Sequence, residues 1–226
     1  DPIIVNSFAG HIATGKQIIE KFGSDELNKE VIDFVKKKVA EFEKEDPVCK
    51  RNARYNDAYK KKNWPEFITV SKEIISQEAN KALVLDVMLT LVSVGYDRTV
   101  IDKNDAYNND TVNYAKMALQ QLQAGQASQT KQYGVFLPFK TKENTESWMN
   151  RILGYYSYYK LDQKKEALAY YYKATMIGNE NKNQFWIYTD IGNWYFGEAA
   201  RLDEEYRKMR AANNNTDTDE SKALIA

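Results

Sequence analysis

Apolar residues recur at helical spacing along nearly the whole chain, and nowhere do they alternate with polar residues between hairpin turns. A period near 3.6 draws one apolar stripe on a helix, whereas a half-buried strand needs a period of two. The expected fold class is therefore all-α. The helices also come in pairs. Ala53 to Lys62 and Phe67 to Ile75 flank a turn at Asn63-Trp64-Pro65, with proline at a first helical position, where its missing N–H leaves no helical bond unmade. Ala82 to Val94 and Thr111 to Leu122 form a second pair. Met149 to Lys160 and Lys165 to Ile177, parted by Leu161-Asp162-Gln163, form a third, and Gln184 to Met209 opens a fourth. The second helices start at Phe67, Thr111 and Ala167, too unevenly for identical repeats but in keeping with one unit that carries loop insertions. A helix pair cannot bury its apolar face alone and must stack on its neighbours. The expected architecture is a superhelical array of antiparallel helix pairs, an α-solenoid.

Residues 1–47 read as an N-terminal helical segment, 48–212 as the repeats, and 213–226 as a polar linker with the start of a further helix. In the first segment an irregular start leads to a helix from about Thr14. A second helix follows, with Ser24 as N-cap and Asp25 and Glu26 where the helix dipole favours anions. Its apolar face is Leu27, Val31, Phe34, Val35, Val39 and Phe42, and Asp46-Pro47 is expected to end it, because the residue before proline avoids helical angles. At the other end, acidic Asp219 and Glu220 open a helix only about two turns long, at 3.6 residues per turn. So short a helix is marginal alone, and the expectation is that a following segment or a neighbouring chain supports it. Between the second and third pairs an insertion, 125–147, carries Tyr133, Phe136 and Phe139 around a proline. It is expected to fold over the repeat surface or to meet a partner through those three rings.

Composition removes several function classes. The 226 residues hold 32 basic and 32 acidic side chains, so the overall basic bias of a nucleic-acid binder is absent. One cysteine, Cys49, and one histidine, His11, leave no internal disulfide and no Cys/His zinc site. Nucleophilic catalysis of the Ser-His or Cys-His kind would run through His11, which has no partner set, and the chain reads as non-enzymatic. Gly10-His11-Ile12-Ala13-Thr14-Gly15-Lys16-Gln17 nearly spells a phosphate-binding loop, but Gln17 replaces the hydroxyl that would ligate magnesium, so no nucleotide is expected. Asp102, Asp105 and Asp110 lack calcium-loop spacing, and no metal or cofactor is expected. Ala82 to Val94 is too short for a membrane span and holds Asp86. A start at Asp1 rather than methionine fits either removal of an export signal or a trimmed chain, so the compartment stays open, with an exported, periplasmic setting slightly favoured over a cytoplasmic one.

The third pair resembles the tetratricopeptide repeat family. In Tyr158 to Ala174, Tyr158, Ala167, Tyr171 and Ala174 match the family's aromatic late in the first helix and its small-aromatic-small series in the second, with Gly154 one residue out of register. Tyr59, Trp64 and Glu66 match in the first copy, Ala115 and Ala118 in the second, and Tyr188 to Tyr195 resembles a first-helix opening. A degenerate bacterial member spanning roughly residues 50–210 is the expectation. The resemblance implies a protein-binding scaffold, or an accessory subunit of a larger and even membrane-associated assembly, with a groove lined by first-helix residues. Those positions are Asn52, Asn56, Tyr59 and Lys60 in one copy, Ile152, Tyr156, Tyr159 and Lys160 in another, and Thr189, Asn193 and Phe196 in the last. The implied partner is another protein or peptide. The alternative is an exported carbohydrate-binding helical-repeat protein that stacks sugars on its aromatic rings.

Overall fold

The computed structural model describes residues 2–24, 26–126, 139–177 and 179–224, the side chains of 2–7 and 179 excepted. Among them there are helices and no strand, so the fold is all-α. The order is α1 (Pro2–Phe22), a 3-10 turn (Glu26–Asn28), α2 (Lys29–Lys60), α3 (Trp64–Gln77), α4 (Lys81–Ile101), a second 3-10 turn (Asp105–Tyr107), α5 (Asn108–Gln123), α6 (Lys142–Tyr159), α7 (Lys164–Ile177), the single turn α8 (Asn179–Lys182), α9 (Phe185–Ala212) and α10 (Asp219–Ala223). The chain divides into two compact units, 1–87 and 88–226, with the division inside α4.

In the first unit α1 lies along α2, and α2 along α3. Two expectations are corrected here. α1 is helical from Pro2, not from Thr14, because proline has no N–H to lose in the first turn. Gly10 to Gln17 therefore lie within a helix rather than in a loop. Gly15 faces α2 so closely that a β-carbon on it would overlap the Val39 side chain. Secondly, α2 does not stop at Asp46-Pro47 but carries Pro47 inside it. Proline removes one backbone bond and strains the turn before it, but contacts on both sides hold the helix straight through. Val39 packs against α1 on one side, and on the other the buried Arg51 pairs with Glu78 at 2.8 Å. Ser24 is not a cap; Asn28 holds the N-cap position of α2, with no capping hydrogen bond from its side chain. The expected apolar face of α2 is met in part: Val39 is buried and Val35 and Phe42 half-buried, but Val31 and Phe34 are exposed, as is Leu27 in the turn before the helix, while Ile32 and Ala58 are buried instead. At the next junction the proline reading holds. Asn63 caps α3 by accepting from the Glu66 amide, and Pro65 sits in the first turn. Val70, Ile74 and Val87 form the core beside it.

In the second unit α5 packs on α6 and α6 on α7, with α8 and α9 against α7. The expected break at Leu161-Asp162-Gln163 is present. Asp162 takes a left-handed φ of 53°, while the Leu161 and Gln163 amides donate to the Tyr156 and Ser157 carbonyls. The core beyond it is Ala167, Leu168, Tyr171, Ile187 and Ile191. Ala174 is fully buried, and its carbonyl accepts the Ser147 hydroxyl at 2.6 Å. Leucine at 174 is expected to overpack this contact and cost about 1–3 kcal/mol, read as a lowered midpoint in urea unfolding with the slope unchanged. α6 starts at Lys142, so the end of the expected insertion is helical, and Thr145 and Ser147 are buried in it. Thr218 caps α10 in a reciprocal capping box with Ser221, and α10 lies against α9.

Candidate functional site

Within the second unit, α4, α6, α8 and the residues just before α6 enclose a recess of about 260 Å³. Ser93, Tyr96 and Asp97 come from α4 at spacings of three and four, which puts them on one helix face. Trp148 and Ile152 come from α6, Glu180 from α8, and Phe139 and Lys140 from the approach to α6. Thr141 caps α6 through the Asn144 amide, and Lys140 turns into that cap with a left-handed φ of 72°.

The back of the recess is braced. The Trp148 indole donates to Glu180 Oε2 at 2.8 Å, and the Phe139 and Trp148 rings lie 5.7 Å apart. The Arg151 guanidinium sits 4.2 Å from the Trp148 ring centre and 5.0 Å from that of Trp186, in cation–π contact with both. Arg151 donates to Asn181, Asn181 to the Ser147 hydroxyl, and Ser147 to the Ala174 carbonyl. Burial pushes the Tyr96 hydroxyl above its usual pKa, with Arg151 opposing. Burial likewise raises the Asp97 carboxyl, opposed by Arg98. The result is a fixed aromatic wall with charged groups at its rim.

A second polar cluster lies deeper. Asp190 is buried on α9, where Tyr159 donates to Oδ1 at 2.6 Å and Tyr171 to Oδ2 at 3.1 Å. Thr99 joins α4 to α6 through the Tyr156 hydroxyl at 2.7 Å and also donates to Asn108 Oδ1 at 2.7 Å. These groups are paired with one another, which is the arrangement of structural polar contacts rather than of a ligand site.

The residues expected to line a groove divide accordingly. Ile152 and Tyr156 are fully buried core side chains, which corrects their place on an open surface: packing against neighbouring helices leaves them no solvent face. Tyr159 is half exposed but its hydroxyl is committed to Asp190, and Lys160 pairs with Asp105 at 2.8 Å. Thr189 bonds back to the Phe185 carbonyl, and Asn193 and Phe196 are exposed on α9. In the first unit Asn52 is half-buried beside Arg51, and Asn56 and Lys60 are exposed. Tyr59 packs against the rings of Trp64 and Phe67 there. Of the insertion rings, Tyr133 and Phe136 lie outside the described residues, and Phe139 is buried against Trp148. Sequence reasoning did not single out Tyr96, Asp97, Lys140, Trp148 or Glu180.

Against known protein-family models, curated proteins and solved structures, the chain shows no match. Among the described residues no helix is long and apolar enough to cross a membrane, and no group of three or more His, Cys, Asp or Glu side chains converges.

Proposed function

We propose that the protein is a non-enzymatic scaffold of stacked helix pairs, of the tetratricopeptide type, which binds another protein by taking an amphipathic helix of that partner onto α9. The carrying observation is a row of exposed aromatic rings. α9 buries Ile187, Asp190 and Ile191 on one side, and on the other exposes Phe185 at 77%, Tyr188 at 48%, Tyr195 at 50% and Phe196 at 79%. Isolated exposed apolar residues need no explanation, but a contiguous row of rings marks an interaction surface.

The seam has the spacing of a helix-binding surface. Phe185, Tyr188, Gly192, Tyr195, Ala199, Leu202, Tyr206 and Met209 follow alternating steps of three and four, the period at which one helix meets another along its length. At the far end Leu202, Tyr206 and Met209 are half-buried, α10 lies against α9, and Tyr206 and Arg210 both hold Asp217 in the turn before it. The near end, from Phe185 to Ala199, stays exposed apart from the Tyr195 hydroxyl, which accepts from Tyr172 on α7, and the Tyr188 hydroxyl, which donates to the Lys182 carbonyl. Gly192 has open space where its β-carbon would be, so a partner backbone can approach closely there.

The test is co-purification of native complexes with the wild type and with Phe185→Ser/Phe196→Ser. A stoichiometric partner that is lost with the double variant, at unchanged helix content, is the expected result. A partner retained by the variant would remove the seam from the interface. A wild type that sediments as a dimer by itself and a variant that sediments as a monomer would make a second copy the occupant and overturn the reading.

A further inference from the structure

We infer that the recess between α4, α6 and α8 binds a small zwitterion of the α-amino acid type, with an apolar or aromatic side chain. This goes beyond the scaffold reading and does not depend on the α9 seam. The first ground is the set of charges at the rim. Asp97 and Lys140 both line the recess, yet among the described residues neither side chain has a hydrogen bond or an ion pair. Glu180 uses one carboxylate oxygen for the Trp148 indole and leaves the other unpaired among the described residues. Charges of opposite sign that share a recess without meeting are left for a ligand that carries both signs. An ammonium group fits Asp97 and Glu180, and a carboxylate fits Lys140, each by a charge-assisted hydrogen bond.

The second ground is the wall. Trp148 presents a partly exposed ring for a side chain, backed by the buried Tyr96, Phe139 and Ile152. Arg151 already occupies a position over the Trp148 ring, which leaves less room for an added simple cation on that ring than for an apolar group beside it. The third ground is size. About 260 Å³ falls just below the roughly 300–1,000 Å³ of pockets for drug-sized ligands and suits a small metabolite.

Calorimetric titration of the full chain with four probes tests the inference: L-phenylalanine, phenethylamine, 3-phenylpropionate and glucose. The first should bind, and the second and third, each lacking one charge, should bind at least about tenfold more weakly, a loss of about 1.4 kcal/mol. Asp97→Asn and Lys140→Met should each weaken L-phenylalanine by at least about the same factor with the circular dichroism spectrum unchanged. Phe185→Ser/Phe196→Ser should leave the affinity as it is, which keeps this result separate from the fate of the α9 seam. Phenethylamine binding as tightly as L-phenylalanine, with Lys140→Met silent, would show a cation site instead. Binding of glucose in preference to L-phenylalanine would show a polyol site, and the absence of heat with all four probes at millimolar concentration would show no small-molecule site of this kind. Each of these three results overturns the inference.

Discussion

Gly154→Leu is expected to destabilise the protein by about 3 kcal/mol or more, at the upper end of overpacking costs. A β-carbon on Gly154 would overlap the Tyr171 ring across the α6–α7 contact, before any longer side chain is added. The ring has nowhere to go. Tyr171 is fully buried, lies 5.8 Å from the Trp186 ring and 6.2 Å from that of Tyr158, and is tied by its hydroxyl to Asp190. Glycine within a helix is itself unfavourable by about 0.5–1 kcal/mol relative to alanine, so its presence here follows from the close approach and not from the backbone. Gly154→Ala should cost about 1–3 kcal/mol, and adding Tyr171→Leu, which removes the clashing ring, should recover part of it. Urea unfolding of the two single variants and the double variant checks this through the coupling, expected at about 0.5–3 kcal/mol for residues in contact. Additive costs would mean that Gly154 and Tyr171 do not meet.

The same pair shows what the sequence could and could not disclose. Helical periodicity, the proline at the start of α3 and the polar break after α6 are local signals, and each reappears in the structure. Pro47 is also a local signal, but tertiary contacts at Val39 and Arg51 outweigh it. In α2 the apolar residues are spread over more than one face, so spacing alone could not decide that Ile32 is buried and Phe34 exposed. α9 has rings on two faces, and which face is covered is decided by its packing against α7, which spacing along α9 alone does not disclose. Ile152 and Tyr156 went astray for the same reason: a groove position and a core position look alike on one helix. The recess was illegible because Asp97, Lys140, Trp148 and Glu180 come from separate segments. A single polar residue in each carries no pattern until the helices bring them together.

Tyrosine ionisation should give the second large effect, with alkaline unfolding between about pH 10 and pH 12. Burial first, and then the Asp190 carboxylate, hold the Tyr171 hydroxyl far above its ordinary pKa of 10.0. Burial pushes Tyr156 up to about 12, against the opposing hydrogen bond to Thr99. Both groups stay protonated in the folded chain at a pH where the unfolded chain has lost those protons. Their contribution is therefore present in full below pH about 10 and is lost as pH rises above it, at about 1.4 kcal/mol per pH unit for each group. By pH 12 the two together remove about 5 kcal/mol, comparable with the whole stability of many domains. Tyr171→Phe separates the causes. At pH 7 it leaves buried Asp190 with one hydrogen bond in place of two, a loss of about 1.5–3 kcal/mol for a bond to a charged group. Above pH 10 the variant has one fewer group to ionise on unfolding, so its stability falls less steeply and the gap to the wild type narrows. Urea midpoints measured from pH 7 to pH 11.5 for both proteins should converge. Parallel curves across that range would mean that Tyr171 is not held protonated by its burial beside Asp190.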